Sequence, residues 1–105
     1  MTTPVDLPEE NSLEETVLPT FTVFARFRER APDGATAVRQ VVDRLTAAQE
    51  PFHEITAREE DGVQLVLVRF VLVSVDAHIA VTGLSETLMS AGTGADEVWA
   101  GPQLP

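Results

Sequence analysis

Apolar side chains recur at every second position in the stretch that begins at Thr20: Phe21, Val23, Ala25 and Phe27. A period of two is typical of a β-strand, because successive side chains point to opposite faces of a sheet. The segment Ala31–Gly34 breaks this pattern, and apolar residues then return at helical spacing: Val38, Val41, Val42, Leu45 and Ala48. We therefore predict a strand and then a helix with Asp33 as its N-cap, which Pro51 ends or closely follows.

The middle of the chain carries the signature of a β-hairpin. Asp61 and Gly62 suit the two central positions of a type I′ turn, because both positions need a positive φ. A moderately polar segment, 52–60, precedes the turn, and the most apolar segment of the chain, 63–75, follows it. We predict that these two segments are paired antiparallel strands.

A second helix is predicted after this hairpin, with Ser74 or Asp76 as its N-cap. Its apolar stripe is Ala80, Leu84, Leu88 and Ala91, with Ile79 and Val81 beside it. Gly92 suits a left-handed C-terminal cap. A short last strand is predicted over 97–100.

The predicted order of elements is β-α-β-β-α-β. With right-handed crossovers, this order gives a ferredoxin-like two-layer α+β sandwich, with a four-stranded antiparallel sheet and two helices on one face. The first and third strands are then central, and the third is the most apolar. We expect one domain over 20–101, a flexible acidic tail over 1–19 and a short C-terminal tail over 102–105.

Charge and composition narrow the classes of function. The 105 residues include 17 acidic and 7 basic side chains, for a formal net charge of −10. Such a chain lacks the clustered cations that a phosphate backbone requires, so nucleic-acid binding is not expected. No signal peptide and no membrane span are predicted. The absence of cysteine favours a reducing cytoplasm.

The predicted hairpin register assigns side chains to the two faces of the sheet. If Glu60 lies opposite Val63, then Val66, Val68, Phe70 and Leu72 face the helices together with Ile55 and Ala57. The face without helices then carries Phe24, Leu65, Leu67, Arg69, Val71, Val73 and Trp99. A one-sided sheet usually has a polar outer face, whereas this one is expected to expose several hundred Å² of apolar surface.

We expect this outer face to be covered by another chain. A second copy that meets it sheet to sheet is the simplest occupant, because two-fold dimers are the commonest oligomers. The alternatives are that the acidic tail folds back over the face, or that the predicted register is wrong by one residue. Arg69 interrupts the apolar face, and in a dimer we expect it to meet an acidic residue of the other subunit.

Two groups of side chains could carry chemistry. His53 and His78 could approach each other near Asp76 and form a metal site of two imidazoles and one carboxylate. The interpretation that we adopt is structural, with a partly buried His53, a solvent-facing His78, and no metal or cofactor.

Arg26, Arg28 and Arg30 project from one side of the first strand and could hold an anionic ligand. We favour ion pairs within the chain instead. The expected partners are Glu54, Glu59 and Glu60, or the acidic tail.

Within the ferredoxin-like group, residues 21–99 resemble ACT-type regulatory domains in outline. In those domains, the first strand leads into a Pro-Gly loop and a helix that help to hold a small ligand. The matching stretch here is Ala31-Pro32-Asp33-Gly34, with Asp33 inserted between the proline and the glycine. The resemblance implies candidate ligand contacts at Pro32, Asp33 and Gly34, and the arginine row adds Arg26 and Arg28 as further candidates.

The predicted ferredoxin-like arrangement is also similar to that of dimeric α+β-barrel proteins. Some of these proteins are small oxygenases or isomerases that use a histidine. The function predicted from sequence is a non-catalytic module for protein assembly or small-ligand regulation that dimerises through its sheet face. One alternative is a small enzyme of that barrel type with His53 as its base. Another is an accessory subunit of a larger complex.

Overall fold

The six predicted elements follow one another in the predicted order. The computed structural model describes residues 18–101. Its elements are β1 (Thr20–Glu29), α1 (Gly34–Ala47), β2 (Glu54–Glu60), β3 (Val63–Val73), α2 (Ala77–Ser90) and β4 (Ala95–Ala100). The predicted tails lie outside the described residues, apart from Leu18 and Pro19.

Three strand boundaries differ from the prediction. β2 begins at Glu54, because Phe52 packs against the core before the strand starts. β3 ends at Val73, and the next ladder bond, from Ser74 N to Pro19 O at 3.1 Å, is the last before the turn into α2. β4 begins two residues earlier than predicted, at Ala95.

The four strands form one antiparallel sheet in the order β2-β3-β1-β4. This order, with both helices packed on the sheet, is that of a ferredoxin-like α+β sandwich. The predicted hairpin register is confirmed, with Glu60 opposite Val63 and Ile55 opposite Val68. Asp61 and Gly62 both have positive φ, 54° and 79°, as the turn requires.

The core lies between the two helices and the face of the sheet to which the register assigned them. It contains Val23, Ala25, Phe27, Val66, Val68 and Phe70 from the sheet, Ala37, Val41 and Leu45 from α1, and Ala80, Leu84 and Leu88 from α2. The buried stripe of α1 includes Ala37, which the prediction left out. Val38 and Val42, which the prediction placed on the stripe, are only half-buried. Ala91 is exposed because it lies at the C-cap of α2, beyond its last packed turn.

Both helices begin in the same way. Asp33 accepts a hydrogen bond from Thr36 N, and Asp76 accepts one from Ile79 N, each at 2.8 Å. These caps satisfy one of the backbone donors that the first turn of a helix leaves free. Neither helix in the range 18–101 is long and apolar enough to cross a membrane.

Both helices also end in the same way, but with different residues at the left-handed position. Glu50 N donates to Leu45 O at 2.9 Å, and Thr93 N donates to Leu88 O at 3.1 Å. The left-handed residue between these groups is Gln49 in α1 (φ 58°) and Gly92 in α2 (φ 68°). Only glycine adopts this conformation without a steric penalty from Cβ.

We expect Gln49→Gly to raise the free energy of unfolding by about 0.5–1 kcal/mol, because it removes this penalty at an exposed position. Gly92→Ala is the matched reverse change and should lower it by about 1 kcal/mol. Urea unfolding followed by circular dichroism measures both changes. A Gln49→Gly variant that is no more stable than the parent protein contradicts the expectation.

Candidate functional site: the open face of the sheet

Among residues 18–101, one side of the sheet carries no helix. We call it the open face and define it by the side chains that alternate with the core residues: Thr20, Thr22, Phe24, Arg26, Arg28, Glu54, Thr56, Arg58, Glu60, Val63, Leu65, Leu67, Arg69, Val71, Val73, Glu97 and Trp99. We add Asp96, at the irregular pairing of β4 with β1, because its carboxylate contacts Arg26 and Arg28 on this face. None of its apolar residues belongs to the core cluster. The predicted division of the sheet into two faces therefore agrees with the structure.

The apolar surface is concentrated at one end of the open face. Val71 is 47% exposed and Val73 is 64% exposed. Val75 and Leu18, which flank the last ladder bond, are exposed as well. We call these four residues the apolar end. Among residues 18–101, no segment covers Val71 and Val73.

Two residues that we expected to be exposed are buried within the chain. Phe24 is 4% exposed and Leu65 is 8% exposed. Phe24 stacks on Trp99, with ring centroids 5.8 Å apart. The register places Leu65 between Arg28 and Arg58, whose long methylene stems can cover a neighbouring apolar side chain. The exposed apolar area is thus smaller than the sequence predicted, although Leu67 and Trp99 remain half-buried.

Ion pairs occupy the other end of the open face. Arg26 contacts Asp96 at 2.6 Å and Glu97 at 3.0 Å, and Arg28 contacts Asp96 at 3.5 Å. The predicted pairing within the chain is confirmed for Arg26 and Arg28, but the expected partners on β2 were wrong, because β3 lies between β1 and β2 and the partners are on β4. The acidic tail, the other expected partner, lies outside the described residues.

Arg69 has its partner in its own chain. Its Nε lies 3.0 Å from Oε1 of Glu54, the residue directly opposite in the register. Arg58 forms a looser pair with Glu60, at 3.6 Å. The expected intersubunit partner is therefore not needed to neutralise Arg69.

These pairs make the open face electrically balanced. Its four arginines (Arg26, Arg28, Arg58 and Arg69) are matched by four acids (Glu54, Glu60, Asp96 and Glu97). The net charge of this group is zero, in a chain whose formal net charge is −10. The excess negative charge therefore lies elsewhere, and half of it comes from Asp6, Glu9, Glu10, Glu14 and Glu15.

The Arg26–Asp96 hydrogen bond affects both groups. It holds the pKa of the Asp96 carboxyl below its ordinary value of 3.8, and it raises the pKa of the Arg26 guanidinium. A carboxyl whose pKa is lower in the folded state stabilises the fold when ionised. That contribution is complete above pH 3.8 and is lost as the pH falls through the folded-state pKa.

We therefore expect the stability of the Asp96→Asn variant to fall less steeply than that of the wild-type chain as the pH is lowered. The reason is that the variant has no carboxylate to protonate at this position. Thermal unfolding followed by circular dichroism between about pH 5 and pH 2 measures this effect. Arg26→Gln is the companion variant and should have the same effect, because it removes the hydrogen-bond donor. Wild-type pH dependence in both variants contradicts the expectation.

The loop predicted to contact a ligand, Ala31–Gly34, uses the carboxylate of Asp33 within the fold. Asp33 caps α1, and the hydrogen bond from the Thr36 backbone lowers the pKa of its carboxyl. A Cβ on Gly34 would lie 3.4 Å from the Cβ of Ala57, so glycine allows the close approach of α1 to β2. The candidate ligand contacts Arg26 and Arg28 lie on the open face and are already paired with Asp96.

Both histidines are exposed. His53 is exposed, so the prediction that it is partly buried was wrong. The chain leaves the core after Phe52, and only the backbone of His53 joins the sheet, through a hydrogen bond to Arg69 O at 2.7 Å. Four hollows of about 340–510 Å³, all open to solvent, are lined by described residues, and His53 lines none of them.

The second histidine is no better placed for catalysis. His78 is exposed in the first turn of α2 and borders one of these hollows together with Ile79, Gly83 and Glu86. Within residues 18–101, no group of three or more His, Cys, Asp or Glu residues is arranged to hold a metal ion.

Sequence reasoning missed one buried polar network. Glu29, only 7% exposed, forms an ion pair with Arg44 of α1. Arg44 Nε also donates to Thr93 O at 2.8 Å, and Thr93 Oγ1 donates to Leu88 O at 2.9 Å. The available signal was that Glu29 falls on the inward positions of β1, in step with Phe27.

Comparisons of the chain with protein-family models, with curated protein sequences and with solved structures find no significant match. The functional interpretation therefore depends on the geometry and chemistry of the surface itself.

Proposed function

We propose that this chain is a non-catalytic assembly module that pairs with a second copy of itself through the open face. The observation that carries the proposal is the composition of that face. It combines two exposed valines at one end with a set of charges that sums to zero. The module is thus proposed to act by association and to catalyse no reaction.

Electrical balance favours a second copy over a charged partner. In a two-fold interface, each patch meets an identical patch, so any net charge on it would be repelled by its own image. A chain with ten excess negative charges would repel its copy through most surfaces. The open face avoids this repulsion and can offer arginines and carboxylates to each other across the two-fold axis.

The size of the face is also adequate. The four strands have 10, 7, 11 and 6 residues. At about 3.4 Å per residue and about 4.8 Å between strands, they give a projected area of about 550 Å². A stable interface buries about 800 Å² of accessible surface on each partner, and accessible area exceeds projected area on a face with side chains. Pairing over most of the open face therefore meets the usual requirement.

The ACT-like outline supports a finer version of the proposal, in which the paired module also binds a small ligand near 31–34. Pro32 and Asp33 are exposed there. The carboxylate of Asp33 is committed to the helix cap, so the observations favour assembly as the primary role. The enzyme alternative has less support, because His53 lines none of the hollows described above.

Light scattering coupled to gel filtration tests the proposal. We expect a mass of about twice 11.4 kDa for the wild-type chain. Val71→Asp and Val73→Asp should each give the monomer mass, because a carboxylate would be buried without a partner at the interface. Met89→Asp is the matched control: Met89 is 74% exposed, but it lies on α2 in the helical layer, so this variant should remain dimeric.

If the wild-type chain keeps the monomer mass up to about 1 mM, the free energy of association between two copies is smaller than about 4 kcal/mol. That result would contradict pairing between copies. A dimer that is disrupted by Met89→Asp and not by Val73→Asp would place the interface on the helical layer and would contradict the role of the open face.

A further inference from the structure

We infer that residues 1–17 compete with the second copy for the apolar end of the open face, and so set the strength of pairing. This inference rests on the proposed function. It concerns regulation of the same surface, with a segment of the chain itself as the competing occupant.

The point at which the chain enters the described fold supports this inference. Leu18 is exposed and precedes Pro19, whose carbonyl accepts the ladder hydrogen bond from Ser74. Thr20 lies opposite Val73 in the register. Residues 1–17 are therefore attached directly beside the exposed valines, at the apolar end.

The length of the segment is sufficient. Seventeen residues can extend over as much as about 55 Å, whereas the eleven residues of β3 span about 36 Å. The segment can therefore reach every part of the open face from its attachment point.

The apolar side chains of the segment suit the apolar end. In an extended chain, side chains four residues apart share one side, so Leu13 and Val17 would both face the sheet, with Glu15 between them. The four arginines of the open face are already paired with acids, so these two apolar side chains would supply the contact with Val71 and Val73.

Covalent attachment makes weak contacts effective. A tethered segment competes at an effective concentration in the millimolar range, without any strong individual contact. The segment and the second copy cannot both cover Val71 and Val73. Weakening the segment should therefore strengthen dimerisation.

The first experiment measures dimerisation of the full chain by sedimentation velocity. We expect the double variant Leu13→Ser/Val17→Ser to lower the dimer Kd by about fivefold to tenfold, or about 1–1.4 kcal/mol. Met89→Ser removes an exposed apolar side chain from the helical layer and should leave the Kd within about twofold. An unchanged or higher Kd in the double variant overturns the inference.

The second experiment detects the contact in the monomer, independently of dimerisation. The chain has no cysteine, so Ser12→Cys gives one site for a nitroxide spin label, and amide signals of Val71 and Val73 are followed by NMR at low concentration. We expect strong broadening of these signals, and its loss when Leu13→Ser/Val17→Ser is added. Equal broadening in the added variant would mean that the tether alone brings the label close, and would overturn the inference.

These two measurements separate the inference from the proposed function. A wild-type chain and a double variant that both stay monomeric contradict the proposed pairing, whereas the broadening experiment still reports whether the segment occupies the apolar end. A dimer whose Kd does not respond to the segment supports the pairing and contradicts the competition.

Discussion

Phe27→Ala is expected to lower the free energy of unfolding by about 3–5 kcal/mol, because it removes a large side chain from the centre of the core. Phe27 is fully buried on the central strand β1 and lies opposite Val66, beside the bulge where β1 pairs with β4. A loss of this size is a large part of the 5–15 kcal/mol that stabilises a typical domain. Urea unfolding followed by circular dichroism measures it.

Phe21→Ala is the matched control for this prediction. Phe21 lies on the same strand and the same face, but it is half-buried at the end of the sheet. The neighbouring side chains can close around the smaller residue, so the loss should be no more than about half as large. Equal losses at the two positions would contradict the placement of the core centre near Phe27.

Arg44→Leu is expected to cost about 3 kcal/mol, which is the second-largest effect. The substitution leaves the buried Glu29 carboxylate without its cation, and it removes the donor to Thr93 O. An uncompensated buried charge is strongly destabilising, whereas the intact pair contributes less to stability. Chemical denaturation of the variant at neutral pH measures the cost.

Two further variants separate the pair from the helix that carries it. Arg39→Leu removes an exposed arginine from the same helix and should change stability by no more than about 0.5 kcal/mol. Glu29→Leu/Arg44→Leu removes both charges and should recover most of the loss. If Arg44→Leu costs no more than Arg39→Leu, the network has no energetic role.

Much of the fold could be predicted because local signals agreed with one another. Asp61-Gly62 fixed the hairpin, and the hairpin register fixed which residues of β3 face the helices. The caps at Asp33 and Asp76 followed from the preference of short acidic side chains for helix N-termini. At each of these points, the pattern of a few neighbouring residues was sufficient.

The details that the sequence did not predict depend on contacts between distant segments. Leu65 lies between arginines of two different strands, and the partner of Arg28 depends on which strand lies next to β1. The strand period marks Glu29 as inward-facing, but its spacing from Arg44 along the chain does not identify Arg44 as its partner. The left-handed Gln49 was missed because only a glycine would have marked that position.

The same limits apply to the candidate site. The sequence predicted the apolar residues of the open face correctly, but it overestimated how much of their surface is exposed. Long arginine stems can cover apolar neighbours, and hydrophobic pattern alone does not show where they lie. The structure thus narrows the site from a whole apolar face to an apolar end beside a balanced set of ion pairs.

Trp99 provides the most direct measurement of pairing through the open face. It is the only tryptophan of the chain, and it lies half-buried on that face, stacked on Phe24. Its fluorescence emission and its quenching by acrylamide can be recorded from about 1 µM to about 1 mM, alongside the mass from sedimentation. We predict that the emission shifts to shorter wavelength and the quenching falls as the mass doubles. A mass that doubles while both signals stay constant, or a mass that does not change, would contradict the account.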